Sequence, residues 1–337
     1  MTKIFLTGTS GYIGGQVLYD LVAGHPEYEI TTVVRSSASA KRIEEAYPKV
    51  RVLQGDFDDV ELIEREASQA NIVLHLGANK HIPSVEAIHR GLKKQDGGHW
   101  IQVSGASGLA SREIADSSFQ PGSPSDAVWD DLNGIADIRS LIRAHSFRQV
   151  DNYILDVAAK DPKIKTAVVW PPIIYGEAQG PVNQRSIQIP TLSRVAIEKG
   201  HAVQAGDALN RWGNVHIRDL GKLFYNLVEA AVKGNQPEKL WGENGIYLTA
   251  SGETTFADIS QRISRAALDQ KLLKDDKIDK LVKPELDQVL PAGSVMYGTN
   301  ARGEGKRAKE LLGWAPKEHS LEDEIPKTVT DVASRKA

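Results

Sequence analysis

The sequence predicts an α/β protein, a doubly wound parallel sheet with a smaller C-terminal α/β lobe for a substrate. Three observations predict it. Short β-branched or apolar runs recur through residues 3–172 and alternate with helical stretches, the pattern of a mostly parallel sheet covered on both faces. A glycine-rich turn separates the first strand-like run from the first helical one. After residue 172 the rhythm breaks into sequence rich in Gly, Pro, Asn and Gln, with no internal repeat, low-complexity tract or long linker.

KIFLT at 3–7 is a short apolar strand, and YIGGQVLYDLVA at 12–23 carries apolar residues at helical spacing. EITTVVR at 29–35 completes a β-α-β unit. KVRVLQGDF at 49–57 and NIVLHLG at 71–77 are further strands around a charged helical stretch at 59–70. HWIQVSG at 99–105 and IKTAVVWPP at 164–172 extend the sheet, with helices over 84–94 and 136–160. Residues 177–215 read as lobe material laid over the sheet edge, with one helix near 190–199. DLGKLFYNLVEAAVKG at 219–234 is a clean helix ending at Gly234, GIYLTAS at 245–251 a late strand, and 254–275 helical again. The stretch 276–300 is irregular, and KRAKELLGWAP at 306–316 closes the pattern with a short helix ended by Gly313 and Pro316. The expected division is a dinucleotide-binding domain over 1–176, to which 214–250 returns, and a substrate lobe from 177–213 and 251–337.

Composition narrows the function. The 337 residues carry a net charge of −3, which gives no electrostatic case for nucleic acid or an anionic membrane as partner. The absence of cysteine removes disulfides, thiolate metal sites and cysteine nucleophiles together. No apolar run approaches the ~20 residues that span a bilayer. The opening MTKIFLTGTSG enters a strand at once, without signal-peptide patterning, so a cytoplasmic setting is expected. GxSxG, HExxH and Walker patterns are absent, and no metal site is expected.

The first turn reads Thr7-Gly8-Thr9-Ser10-Gly11-Tyr12-Ile13-Gly14, or G-x-x-G-x-x-G between strand and helix. That spacing gives a tight turn, close backbone approach to a pyrophosphate, and close packing of helix on strand. The phosphates would meet the helix N-terminus, whose N–H groups and dipole favour anions. The second strand ends at Arg35 rather than at an acid that would hold a ribose 2′-hydroxyl. An arginine there suits a 2′-phosphate, so NADP is favoured, with NAD the alternative. Asp56, in GDFDD, suits either the adenine edge or the cap of the following helix.

TGTSGYIGG, GDFDD, VLHLGA at 73–78, WPPIIYG at 170–176, NVHIRDLGKLF at 214–224 and AKELLGWAP at 308–316 occur in that order. Together they resemble the extended short-chain dehydrogenase/reductase family, also called the NAD-dependent epimerase/dehydratase family, over essentially the whole chain. The resemblance implies a Rossmann domain holding NAD(P) and a smaller lobe closing over a small organic substrate. It implies that Thr9, Ser10, Gly11, Tyr12 and Ile13 line the pyrophosphate, and that Asp56 and Phe57 flank the adenine. Leu76, Gly77 and Ala78 would meet the riboses, and Pro171, Pro172 and Ile173 the nicotinamide. It also implies a homodimer through the helices at 84–94 and 136–160. His216 and Asp219 read as a strand-to-helix joint fixing the C-terminal lobe.

In that family a Tyr acts as acid or base, with a Lys four residues on, one helical turn away. None of the nine tyrosines here has a lysine at that distance. The segment HSFRQVDNYILDVAAK at 145–160, set in register through Val150 and Asp151, puts Arg143 at the tyrosine position and Phe147 at the lysine position. Tyr153 falls beyond the site, in a packing role. The family's serine falls on Gly105 or Ala106, with Ser104 or Ser107 available as substitutes. His145 and Arg148, read as one helical turn, are the replacement candidates: an imidazole for acid/base work, a guanidinium to polarise a carbonyl or hold an anion. Lys80, His81 and Tyr175 are secondary candidates. Two readings stand: an NADP(H)-dependent oxidoreductase or epimerase-like enzyme with a non-standard acid/base, or an NAD(P)-binding regulatory or structural protein without turnover.

Overall fold

The computed structural model describes residues 1–234 and 237–335. The N-terminal half alternates as read: β1 (Lys3–Thr7), α1 (Tyr12–Gly24), β2 (Glu29–Val34), α2 (Ser37–Ala46), β3 (Arg51–Gln54), α3 (Val60–Ala67), β4 (Ile72–His75), α4 (Ile82–Lys94), β5 (Gly98–Val103). There follow α5 (Ser111–Ala115), the two-residue strand β6 (Trp129–Asp130), α6 (Ile135–Arg143), α7 (Gln149–Lys160) and β7 (Ile164–Trp170). The second half holds β8 (Ile173–Tyr175), α8 (Gln188–Lys199), β9 (Ala202–Ala205), β10 (Arg211–His216), α9 (Ile217–Lys233), α10 (Pro237–Leu240) and β11 (Ile246–Leu248). It closes with β12 (Gly252–Thr255), α11 (Phe256–Asp269), β13 (Ile278–Leu281), α12 (Glu285–Val289), α13 (Gly293–Met296), β14 (Gly303–Glu304), α14 (Lys306–Leu312) and α15 (Leu321–Ser334).

Seven parallel strands form the central sheet in the order β11-β7-β5-β4-β1-β2-β3. The strand order reverses between β1 and β4, which opens a crevice at the C-terminal strand ends. Period-two alternation divides the strands between two cores. Ile4, Leu6, Ile72, Leu74, Ile101 and Val103 face α1 and α9, through Val17, Leu21, Leu220 and Phe224. Phe5, Val73, Trp100 and Val168 face α3, α4 and α7, through Ile63, Ile88 and Ile154. Smaller sheets, β12-β10-β8 and β13-β9, carry the C-terminal lobe.

Three elements differ from the sequence reading. The helix expected over 136–160 is two helices, because residues 144–148 leave helical geometry between α6 and α7. The stretch 276–300 contains β13, α12 and α13 rather than irregular chain. α15 was not expected: Pro326 inside it disguises a helix that Ser320 caps by accepting from Asp323 N. Among the described residues no helix is long and apolar enough to cross a membrane.

At the crevice, His75 ends β4 fully buried. Ser84 Oγ donates to the His81 carbonyl at 3.0 Å and so accepts from His75 Nε2 at 3.1 Å. His75 Nδ1 then accepts from Thr7 Oγ1 at 2.8 Å, tying β1, β4 and α4 through a neutral ring. Burial, and secondarily the charge of His81, push its pKa down to about 3. The folded value lies below the unfolded one of about 6.5, so the unfolded chain binds protons that the folded chain refuses. Stability is therefore full above that unfolded value and is lost as pH falls towards the folded one. We expect the midpoint of thermal unfolding to fall between pH ~7 and ~5, and His75→Gln to make that fall shallower. An equal slope in the variant would show that other groups carry the acid sensitivity.

Candidate cofactor and active site

A cavity of about 510 Å³ opens where the strands end, within the size range of small-molecule sites. Its wall begins at the glycine turn. Gly8 takes φ +80°, open to glycine at little cost. A Cβ on Gly14 would overlap the carbonyl oxygen of Gly8, so α1 starts directly against the turn. α1 has no side-chain cap at Gly11, which leaves its first turn facing the cavity with no competing side-chain acceptor. This arrangement fits a pyrophosphate: bare backbone at a 13-residue helix start, opening on the cavity.

Of the residues expected at the cofactor, Gly8, Ser10, Gly11, Tyr12, Ile13, Gly14, Arg35, Asp56, Phe57, Leu76, Gly77, Pro171 and Pro172 lie in this one wall. Three do not. Thr9 is buried beneath the turn, its hydroxyl hydrogen-bonded to Thr32 Oγ1 at 2.7 Å. Ala78 lies outside the wall, its carbonyl accepting from Gln102 Nε2 at 2.8 Å. Ile173 faces the core, and strand alternation puts Ile174 in the wall instead. Asp56 does not cap α3: it accepts from the backbone N–H groups of Asp58 and Asp59 in the preceding turn at 2.9 and 3.2 Å, and the cap is Asp59, which accepts from Leu62 N at 3.2 Å.

The catalytic candidates separate sharply. Arg148 Nη2 donates to Ser104 Oγ at 2.8 Å and pairs with Asp151 Oδ2 at 2.7 Å. Its guanidinium carbon lies 5.0 Å from the centre of the Trp170 ring, and Trp170 Nε1 donates to Asp151 Oδ1 at 3.1 Å. Ser104 and Ser107 are in the cavity wall, while Arg148 reaches it only through Ser104. A helical turn was expected to carry both His145 and Arg148, but 144–148 form the link between α6 and α7. The two side chains consequently diverge. His145 lies outside the wall, with Nδ1 donating to the Leu141 carbonyl at 2.7 Å. Phe147, at the family's lysine position, is 50% exposed, and Arg143 pairs outside with Asp156 at 2.8 Å.

The secondary candidates also point elsewhere. His81 caps α4 and meets Asp58 at 3.1 Å; Lys80 is exposed and outside the wall. Tyr175 is buried and donates to the His319 carbonyl at 2.8 Å. Tyr153 bonds His89 Nδ1 at 2.8 Å between α7 and α4, away from the cavity. His216 and Asp219 are the joint they were read as. Asp219 accepts from the backbone of Lys317 and Glu318 at 3.0 and 3.1 Å, and its carbonyl takes Trp314 Nε1 at 2.7 Å.

Ligand atoms of His216, Glu318 and His319 do approach within 4.8 Å of one another, a grouping the sequence did not lead us to expect. Their rings are already engaged: His216 Nδ1 accepts from Arg218 N at 3.2 Å, and His319 Nε2 meets Glu324 at 2.6 Å.

The wall also contains residues that no local pattern could point to. Asn79 follows β4, while Asn183, Ser186, Ile187, Gln188, Trp212 and Met296 close the cavity from the second half of the chain. Only the polar composition of 177–186 signalled any of them. The titratable groups of the wall are Tyr12, Arg35 and Asp56. Tyr12 donates to the Gly176 carbonyl at 2.6 Å, and burial, then the negative charge of Glu324, raise its pKa well above the usual phenol value.

Relatives share this build. Residues 8–130 match the NAD(P)H-binding family model. Oxidase ucsJ of Acremonium sp is 35% identical over 324 residues, covering 93% of this chain and 92% of that protein. The chain belongs to the NAD(P)H-binding family that includes oxidase ucsJ. Among solved structures, a Thermotoga maritima UDP-glucose 4-epimerase with UDP-glucose superimposes over 100% of both chains at TM-score 0.64 and 18% identity. DesIV, a dTDP-glucose 4,6-dehydratase of Streptomyces venezuelae with NAD and TYD, aligns with 99% of this chain and 98% of its own at TM-score 0.68 and 17% identity. These likenesses show the fold, and the family is one of NAD(P)-binding enzymes.

The turn geometry gives a direct test. Gly14→Ala should lower the unfolding midpoint and abolish dinucleotide binding, because the added carbon meets backbone that cannot rotate away. Retained binding, read by quenching of protein fluorescence, would show that the turn relaxes.

Proposed function

We propose that this chain is an NAD(P)(H)-dependent oxidoreductase acting on a small carbonyl or hydroxyl compound, with Ser104 as the group that holds the reacting oxygen. The single observation that carries this is the 2.8 Å bond from Arg148 to Ser104 at the cavity wall. A guanidinium only donates, so Ser104 Oγ accepts there and its own proton is left to point into the cavity. An oxygen gaining negative charge opposite Ser104 would meet a hydroxyl already polarised by a buried cation. The family's Tyr and Lys are absent, and the buried Arg148–Asp151 pair stands in as the local source of charge.

The glycine turn and the α1 N-terminus would hold the pyrophosphate, Arg35 the adenosine 2′ position, and Pro171 and Pro172 the nicotinamide. When bound, that ring donates or accepts hydride. Ser107 offers a second hydroxyl in the same wall. The position of Arg35 in the wall at the end of β2 supports NADP. With the Tyr12 hydroxyl committed to the Gly176 carbonyl and no imidazole among the described residues of the wall, the proton that balances hydride transfer to a carbonyl would pass through Ser104 from solvent.

Three outcomes follow for activity and affinity. Ser104→Ala should lower kcat roughly 10²-fold while leaving cofactor affinity unchanged, the loss typical of one oxyanion donor. His145→Ala should leave kcat unaltered; a large loss there would restore the imidazole as the acid/base. Arg35→Ala should lower NADP affinity with little change for NAD, since it removes a charge-assisted contact to the 2′-phosphate alone. An unchanged NADP:NAD ratio would overturn the 2′ assignment.

A further inference from the structure

The lobe side of the cavity is built from Asn183, Ser186, Ile187, Gln188, Trp212 and Met296, and none of these side chains is ionisable. We infer that this half of the site takes an uncharged, largely apolar carbonyl or hydroxyl compound and rejects nucleoside diphosphate sugars. The inference rests on the oxidoreductase reading for the reacting groups, but the composition of the wall stands without it.

A diphosphate brings about two negative charges into a partly dehydrated site, which is costly without charge-assisted donors. Among the described residues of the wall the one cation is Arg35, at the end of β2, where it would meet the cofactor. Arg185 lines an adjoining cleft that shares Ser186 with this wall, where Glu177, Glu324 and Asp331 outnumber Arg185 and Arg335, and Arg211 pairs with Glu253. The N-terminus of α8 does face the cavity at Ile187 and Gln188. Its dipole is equivalent to only about +0.5 charge, and Pro190 in its first turn has no N–H to offer. That is enough for a neutral oxygen and too little for a diphosphate.

The polar side chains of the lobe wall are few and largely engaged. Gln188 Nε2 donates to the Met296 carbonyl at 2.8 Å, and Trp212 Nε1 to the Thr299 carbonyl at 2.7 Å. Asn183 Oδ1 accepts from Arg185 N at 3.1 Å. What they leave towards a ligand is carbon surface with a few neutral hydrogen-bonding groups, the Ser186 hydroxyl among them. Ile187 is 74% exposed and stands in this wall. A large apolar side chain left in water beside a cavity marks a surface that an apolar ligand can cover.

The test uses the full chain saturated with NADPH and reads binding by saturation-transfer difference NMR, so that turnover is not needed. The probes are benzaldehyde, 2-octanone and cinnamyl alcohol against UDP-glucose and dTDP-glucose. Expected are transfer signals from the uncharged probes, none from the nucleotide sugars, and about tenfold weaker binding of the uncharged probes to Ile187→Asp. Ile187 is exposed, so this variant should keep its unfolding midpoint. Binding of either nucleotide sugar more tightly than the uncharged probes would overturn the inference. So would failure of all three uncharged probes to bind, or unchanged affinity in Ile187→Asp. Because Ser104→Ala reads kcat and this experiment reads affinity, a failure of one assignment is distinguishable from a failure of the other.

Discussion

A parallel sheet cannot leave a face in water when every crossover lays a helix over it, and the site of this protein follows from that constraint. Each strand sends alternate residues to two cores, so both faces of the seven-stranded sheet are closed by helices. What remains open is the C-terminal strand edge, at the point between β1 and β4 where the order reverses. His75 ties β1, β4 and α4 at that point, and Gly14 lets α1 begin against the turn. The cavity is the space these elements cannot fill.

Within that frame the buried Arg148 is the charge nearest Ser104. A guanidinium taken out of water needs a partner, and removing one member of such a pair costs ~3–5 kcal/mol. Asp151, itself fixed by Trp170, supplies the opposite charge, and the Trp170 ring covers the guanidinium face. Because all three come from the α7 start and the β7 end, Arg148 has little freedom except to meet Ser104. The family's Tyr and Lys would sit one helical turn apart; here a non-helical link stands in place of that turn, with the Arg148–Asp151 pair buried behind it. The C-terminal lobe follows the same economy of charge. His216 caps α9 and Asp219 fastens 314–318 to it, so the motif most visible in that half of the sequence is structural.

The parts of the site that were legible are those built from consecutive residues. The glycine turn, Arg35, Asp56-Phe57, Leu76-Gly77 and Pro171-Pro172 were each readable because a strand end delivers neighbours in sequence to one place. Thr9, Ala78 and Ile173 fall outside the wall for a local reason: adjacent backbone positions alternate between wall and core, and a one-residue step flips the side chain. The break between α6 and α7 was not legible, since 145–148 keep helical composition while packing of Arg148 under Ser104 pulls the link out of the helix.

The sequence by itself determined the doubly wound sheet, the dinucleotide turn and the loss of the Tyr and Lys pair, because periodicity and local spacing encode them. Only the tertiary structure showed that Arg148 meets Ser104 at the cavity wall while His145 turns back to the Leu141 carbonyl outside it, for the two differ by three residues and diverge through side-chain packing. It alone also assembled Trp212 and Met296 with Ile187 into one wall. Those three are far apart along the chain, and nothing short of the folded lobe brings them within reach of a common ligand.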